Sequence, residues 1–302
     1  MPTRYWILLV ILGSAFGTSF ALNEVLLAHY GPITISAMRV VLGAMGCWLW
    51  LFATGRTASG LGAMLLGVAV FGIFQYAAPF AVLALAQGEI TSSVAGIANG
   101  MTPVAVVVIS HLWPGGERAT ARKGAGVALG LAGIACIALL EGEAGASDPR
   151  FVAIAVGAPI CYGIALNLVR RFGPVDPVVL TAWAMTGGAA VIAPLARSLE
   201  GVPVMPDAQA ALAIGVLGFG ITSAGFLGMF WLLPRIGATN ASLVTFIAPV
   251  SATFLGVVAL GETLGAGHVG GMLLILLGLI CIDGRLIAWA RERFQWGVVA
   301  SH

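Results

Sequence analysis

The chain has 302 residues, of which 60% are hydrophobic and only 9% charged, with a mean hydropathy of +1.03 and a formal net charge of +2. Soluble domains carry about 25% charged residues, so a chain this poor in charge cannot clothe a water-facing surface, and it is no nucleic-acid binder. The composition is that of an all-α protein that crosses a lipid bilayer many times.

Crossing roughly 30 Å of hydrocarbon takes about 20 apolar residues in a helix. Ten such runs follow one another, at 5–28, 33–54, 61–86, 91–113, 120–140, 150–171, 177–198, 208–233, 239–260 and 267–288. The first begins MPTRYWILLVILGSAFG, a charge followed by an apolar core as in a secretory signal. Its recurrence later in the chain makes it a span instead. It carries Thr18 and Glu24, and the second carries Arg39. Glu24 and Arg39 fall at similar depth near one end of their helices, which predicts an interhelical ion pair.

The third span holds Gln75, Tyr76 and Pro79; the fourth holds Asn99, Thr102 and Pro103 and ends at Gly116-Glu117. Gly126, Gly130 and Gly133 place small residues on one face of the fifth, the pattern that lets helix backbones approach closely. The sixth contributes Pro159 and Tyr162, the seventh Trp183, and the eighth Thr222, Ser223 and Phe226. The ninth holds Thr245, Phe246 and Pro249 and ends at Gly261-Glu262, and the tenth carries Gly267, Gly271 and Gly278. Trp6, Trp50, Trp113, Trp231, Trp289 and Trp296 lie near span ends or beyond and read as interfacial anchors.

Alternate loops differ sharply in charge. Arg4, Arg56, Arg118, Arg122, Lys123, Arg170, Arg171, Arg235, Arg285, Arg291 and Arg293 share one side, and only Arg150 and Arg197 lie on the other. Basic residues stay on the cytoplasmic side, so both termini are expected there, in a bacterial inner membrane. The four cysteines, Cys47, Cys136, Cys161 and Cys281, are scattered through apolar runs and read as small buried residues.

The chain repeats itself. Phe71-Gly72-Ile73 recurs as Phe219-Gly220-Ile221, Thr102-Pro103-Val104 as Ala248-Pro249-Val250, and Gly116-Glu117 as Gly261-Glu262. Ala21-Leu22-Asn23 returns as Ala165-Leu166-Asn167, and Tyr30-Gly31-Pro32 as Phe172-Gly173-Pro174. The ten spans therefore divide into two sets of five, at 1–145 and 146–302. Because five is odd, the second set is expected to cross the membrane in the opposite sense, as in transporters built from inverted repeats.

Ten spans in two halves, a proline in the fourth helix of each, the Gly-Glu loops, the glycine-spaced fifth helices and the AMRVVLGA context of Arg39 resemble the drug/metabolite transporter superfamily, in its EamA-type branch. The overall pattern is similar to the YddG-type exporters of aromatic amino acids. The resemblance implies a secondary transporter of small metabolites, often amino acids moved outward; a monomer or weak homodimer without cofactor is expected.

A proline in a span frees a backbone carbonyl one turn earlier, and in lipid that group must face a cavity or a neighbouring helix. Pro103 and Pro249 are therefore expected to line the substrate path, with Pro79 as a weaker candidate. The uncharged polar residues Thr18, Gln75, Asn99, Thr102, Thr222, Ser223 and Thr245 suit the ammonium and carboxylate of an amino acid. The rings of Tyr76, Tyr162, Trp183, Phe226 and Phe246 suit an aromatic or apolar side chain. Each also has a plainer reading as a packing residue or interhelical hydrogen bonder. Few acids lie within the spans, which favours uniport or exchange over proton coupling. No metalloprotease, nucleophile-elbow or phosphate-loop motif is present and the histidines are dispersed, so no enzyme and no metal site is expected. The rivals are a multidrug or other metabolite permease of the same superfamily, a passive channel and a membrane scaffold.

Overall fold

The protein, described here from a computed structural model, is seen over residues 2–57, 61–143 and 147–284. Arg285, Arg291, Arg293, Trp289, Trp296 and His302 lie outside the described residues. The helices are α1 (Thr3–Leu27), α2 (Pro32–Ala53), α3 (Leu65–Gln87), α4 (Ser92–Leu112), α5 (Ala121–Gly142), α6 (Pro149–Val169), α7 (Pro177–Leu199), α8 (Ala208–Gly237), α9 (Val244–Leu260) and α10 (Ala266–Asp283). Nine of these are long and apolar enough to span a bilayer among the described residues.

The exception is α9, at 17 residues. Gly237 takes a left-handed φ of 78° and turns the corner from α8, and residues 238–241 are helical again. The expected ninth span at 239–260 is thus present as a short lead-in turn plus α9. The tenth is shorter than the expected 267–288. Gly284, at φ 75°, ends it in a left-handed C-cap.

Large apolar side chains cover the surface as well as filling the core. Leu49, Phe52, Leu66, Leu139 and Phe254 are exposed, and in a bilayer such positions face lipid tails. Trp6, Trp50 and Trp231 are exposed near helix ends, as interfacial anchors are.

Helix packing follows the small residues. A Cβ added to Gly126 would stand 2.6 Å from the Gly278 carbonyl oxygen, and one added to Gly133 would stand 2.8 Å from that of Gly271. So α5 and α10 meet backbone to backbone through the glycine stripes, which places those stripes inside the chain and not on a dimer seam. The other close pairs are α1 with α9, α4 with α6, α2 with α8, α3 with α7, α2 with α7, and the first half of α4 with α9. Replacing each helix by the one five places along converts this set of pairs into itself. The core follows these contacts: one buried cluster fills the space among α2, α3 and α7, and another joins α4, α5, α6 and α10.

Two features were not foreseen. Ile73–Ala77 within α3 and Val216–Ala224 within α8 wind as π-helix, at corresponding places in the two halves. The wider turn changes which face a helix presents, and such stretches gather at functional sites. In α8 the Thr222 hydroxyl donates to the Leu217 carbonyl five residues earlier, at 2.8 Å.

Candidate functional site

A cavity lies beside the break in α4. Residues 100–101 form a turn between two helical segments, Ser92–Asn99 and Thr102–Leu112, with Pro103 in the first turn of the second, where its missing N–H costs nothing. The first segment is pressed onto α9. A Cβ at Gly96 would lie 2.3 Å from Ala252 Cβ, and one at Gly100 would lie 2.7 Å from the Pro249 ring. The second segment turns away to pack on α6, and the gap left beside α9 is a cavity of about 620 Å³.

Thr102, Pro103, Val106 and Ser110 form one wall, Ser242 and Thr245 the other, and Leu166 and Arg170 the side. Glu117, Arg122 and Lys123 stand at the mouth, so the cavity opens on the face that carries most of the basic residues. The Thr102 hydroxyl donates to the Asn99 carbonyl and the Thr245 hydroxyl to the Ser242 carbonyl, each at 2.7 Å. Both oxygens keep lone pairs for a ligand. Glu117 is paired with Lys123. The hydrogen bond and the charge of that ammonium hold its carboxyl below the usual carboxylate range.

On the opposite face carboxylates are seated on helix N-termini, where unpaired N–H groups and the helix dipole favour negative charge. Glu262 Oε1 accepts from the Ser92 N–H at 2.7 Å, and Oε2 from the Ser93 N–H at 3.1 Å and from the Ser93 hydroxyl. Glu262 thereby fastens the end of α9 to the start of α4. Glu200 does the same for α2, accepting from Ile33 and Thr34 at 3.0 and 2.8 Å. Beside them Glu141 contacts His268 at 2.9 Å, with both side chains fully enclosed. The His268 Nε2 lies 3.2 Å from the Thr91 hydroxyl. Glu117 holds the matching place to Glu262 in the first half, yet it bonds Lys123.

A second polar centre lies deeper, on α2. Arg39 is buried, about seven residues or 10 Å of helix from the start of α2. Its Nε donates to the Thr222 hydroxyl oxygen at 2.9 Å, and its guanidinium carbon stands 3.7 Å over the Phe80 ring. Helices from both halves converge here.

The expected Glu24–Arg39 ion pair is absent and must be corrected. The first helix packs on α9 and only slightly on α2, which keeps Glu24 apart from Arg39. The Glu24 Oε2 is buried with no hydrogen-bond partner among the described residues.

The other expected residues divide three ways. Thr102, Pro103 and Thr245 are on the cavity wall. Thr222 bonds Arg39, Tyr162 packs against the α4 cluster, and Tyr76 packs edge-on against Phe226, ring centroids 5.1 Å apart. The rest are elsewhere. Thr18 bonds the Ser14 carbonyl at 2.8 Å, Ser223 contacts the Cys47 sulfur at 3.6 Å, and Trp183 packs edge-on against Trp48 at 5.2 Å. Pro79 is buried beyond the π-helical turn of α3, and half-buried Phe246 packs against the α4 cluster. Gln75 and Asn99 each keep a buried carbonyl oxygen without a partner. Pro249 does not line the cavity: it is buried inside an unbroken helix, against Gly100.

Phe80, Ser110, Arg170 and Glu262 were missed as site residues. The loop Gly-Glu motif was the available signal for Glu262, since an acid placed between spans has a helix N-terminus as its natural partner.

The sequence profile of the EamA-like transporter family matches residues 4–139 and 150–282. An uncharacterized transporter of Archaeoglobus fulgidus is 27% identical over 310 residues, covering 92% of this chain and 98% of that protein. The uncharacterized transporter YoaV of Bacillus subtilis is 26% identical over 265 residues, covering 82% and 86%. A solved crystal structure at 22% identity superposes with a TM-score of 0.64 over 95% of this chain and 98% of its own.

Proposed function

Because this chain belongs to the EamA-like transporter family and is a membrane transporter, we propose that it is a secondary carrier exporting amino acids, aromatic or neutral, or similar small amphiphiles by alternating access. Two five-helix halves, inverted with respect to each other, enclose the path. The single observation that carries this reading is the opposition of a cavity open between α4 and α9 on one face to a carboxylate-fastened closure of the same two helices on the other.

The self-mapping set of helix pairs and the profile matches on either side of residue 145 support the duplication. Under that duplication the two Gly-Glu loops exchange roles. In the form seen here Glu262 fastens α4, and Glu117 is parked on Lys123. In the opposite form Glu117 leaves Lys123 for the backbone N–H groups at the start of the α9 lead-in, residues 238 and 239, while Glu262 lets go of Ser92 and Ser93. Arg122, Lys123 and Arg170 line the cavity together with Glu117 and Asp283, and Arg39 lies deeper. With the basic face cytoplasmic, the cavity loads cargo from the cell interior.

The test is counterflow of labelled phenylalanine, tryptophan, threonine and methionine into proteoliposomes. Saturable uptake accelerated by unlabelled cargo inside supports the reading. Flux that neither saturates nor shows counterflow indicates a channel, and no flux of any of the four removes the amino-acid assignment.

A further inference from the structure

The unexplained group in this protein is Arg39. Removing a charge from water costs several kcal/mol even after relaxation, and nature accepts that cost within a membrane where the charge has work to do. The usual remedy is an acid, and Glu24 is the sequence candidate, but the two form no ion pair, and Glu24 Oε2 is buried without a hydrogen-bond partner among the described residues. Among the described residues Arg39 makes no ion pair, and its one hydrogen bond uses Nε. The terminal nitrogens Nη1 and Nη2 are left with no protein acceptor. The Phe80 face and the Thr222 hydroxyl oxygen hold the guanidinium in a fixed plane, and that leaves the bidentate edge presented and unused.

A guanidinium edge of this kind pairs with two oxygens of an oxyanion, a carboxylate or a phosphate, and the Phe80 ring under it, with Tyr76 and Phe226 next to Phe80, suits a carboxylate carried on an apolar group. We infer that Arg39 is the anion-binding element of the transport path and receives the carboxylate of the cargo. The inference rests on the carrier reading above and narrows it. The cargo carries a carboxylate, and its apolar part lies against Phe80 and the Tyr76–Phe226 pair. Thr222 is a positioning residue, acting through Arg39 by fixing its plane. The burial of Arg39 in this form places the carboxylate seat beyond the inner end of the cavity, toward the fastened face, so cargo reaches it during passage between the two faces.

The experiment measures binding to the purified full chain in detergent by thermal shift and calorimetry. Butanoate and benzoate are compared with their amides, butanamide and benzamide, and with inorganic phosphate, on wild type and on Arg39→Lys, Arg39→Gln and Phe80→Leu. The expected result is saturable binding of each carboxylate about tenfold or more tighter than its amide, the effect of a charge-assisted bidentate contact. That preference is retained only in part by Arg39→Lys, weakened by Phe80→Leu and abolished by Arg39→Gln. Should Arg39→Gln fail to fold, the carboxylate-over-amide comparison on wild type and the weakening in Phe80→Leu still decide. Equal affinity for acid and amide, an undiminished preference in a folded Arg39→Gln, stronger binding of phosphate than of either carboxylate, or no binding of any anion would each overturn the assignment. These outcomes are separable from failure of the carrier reading, because counterflow of amino acids is measured independently of Arg39.

Discussion

Individual residues in this protein are governed by what a bilayer withholds. A carboxylate in hydrocarbon needs a donor, and Glu262, Glu200 and Glu141 all find backbone N–H groups, at Ser92 and Ser93, at Ile33 and Thr34, and at His268. Glu24 finds none for its buried Oε2. Breaking a buried ion pair by removing one partner costs about 3–5 kcal/mol, whereas neutralising an unpaired acid removes a penalty. Glu24→Gln is therefore expected to leave the melting temperature unchanged or to raise it. A drop of many degrees in a thermal-shift measurement would restore the ion pair with Arg39.

The error over Arg39 shows where sequence reading runs out at this scale. Depth along two consecutive spans was legible, and it put Glu24 and Arg39 level. Azimuth was not, because it depends on which helix each packs against, and α1 chooses α9. Thr102, Pro103 and Thr245 were found because a proline break and a repeat offset mark them. Ser110, Arg170 and Phe80 are ordinary residues in an apolar sequence, and only the divergence of α4 from α9 and the packing around Arg39 make them notable.

At the scale of helices, the glycines decide the packing. The α5–α10 contact is symmetric: Gly126 meets Gly278 and Gly133 meets Gly271, each within 2.6–2.8 Å of a backbone oxygen for an added Cβ. Overpacking costs about 1–3 kcal/mol where side chains can yield, and backbone oxygens yield less. Gly133→Ala is expected to lower thermal stability by at least that much. Gly124 lies on the same helix with open space around it, and there Gly→Ala is expected to be neutral or to gain up to about 1 kcal/mol. Equal effects at the two positions would mean that α5 and α10 do not touch there.

Elements were largely readable in advance, since ten apolar runs and their Gly-rich punctuation set the helices to within a few residues. The two prolines were not equivalent, however. Pro103 follows a true break at Gly100–Met101, while Pro249 stays inside α9, its ring occupying the space that Gly100 leaves open. Proline marks a tolerance for bending, and the neighbouring helix determines whether the bend is made. The π-helical stretch in α3 ends two residues before Pro79, whereas the one in α8 has no proline beside it, so proline alone does not mark them.

For the molecule as a whole, the account depends on orientation and on exchange between two forms. Reporter fusions at the N-terminus and C-terminus are expected to be active only in their cytoplasmic versions, as the eleven-to-two distribution of basic residues requires. Opposite locations for the two termini would be incompatible with an even number of spans.

The most direct test uses paired spin labels in lipid nanodiscs, one pair at Leu112 and Arg235 on the cavity face and one at Glu89 and Leu264 on the fastened face. Glu262→Gln removes the charge that holds the start of α4, and loss of a charged hydrogen bond worth about 2 kcal/mol shifts a two-state equilibrium by well over tenfold. The account predicts that this substitution lengthens the Glu89–Leu264 distance and shortens the Leu112–Arg235 distance in the same population of molecules. A change at one face without the other, or at neither, would contradict it.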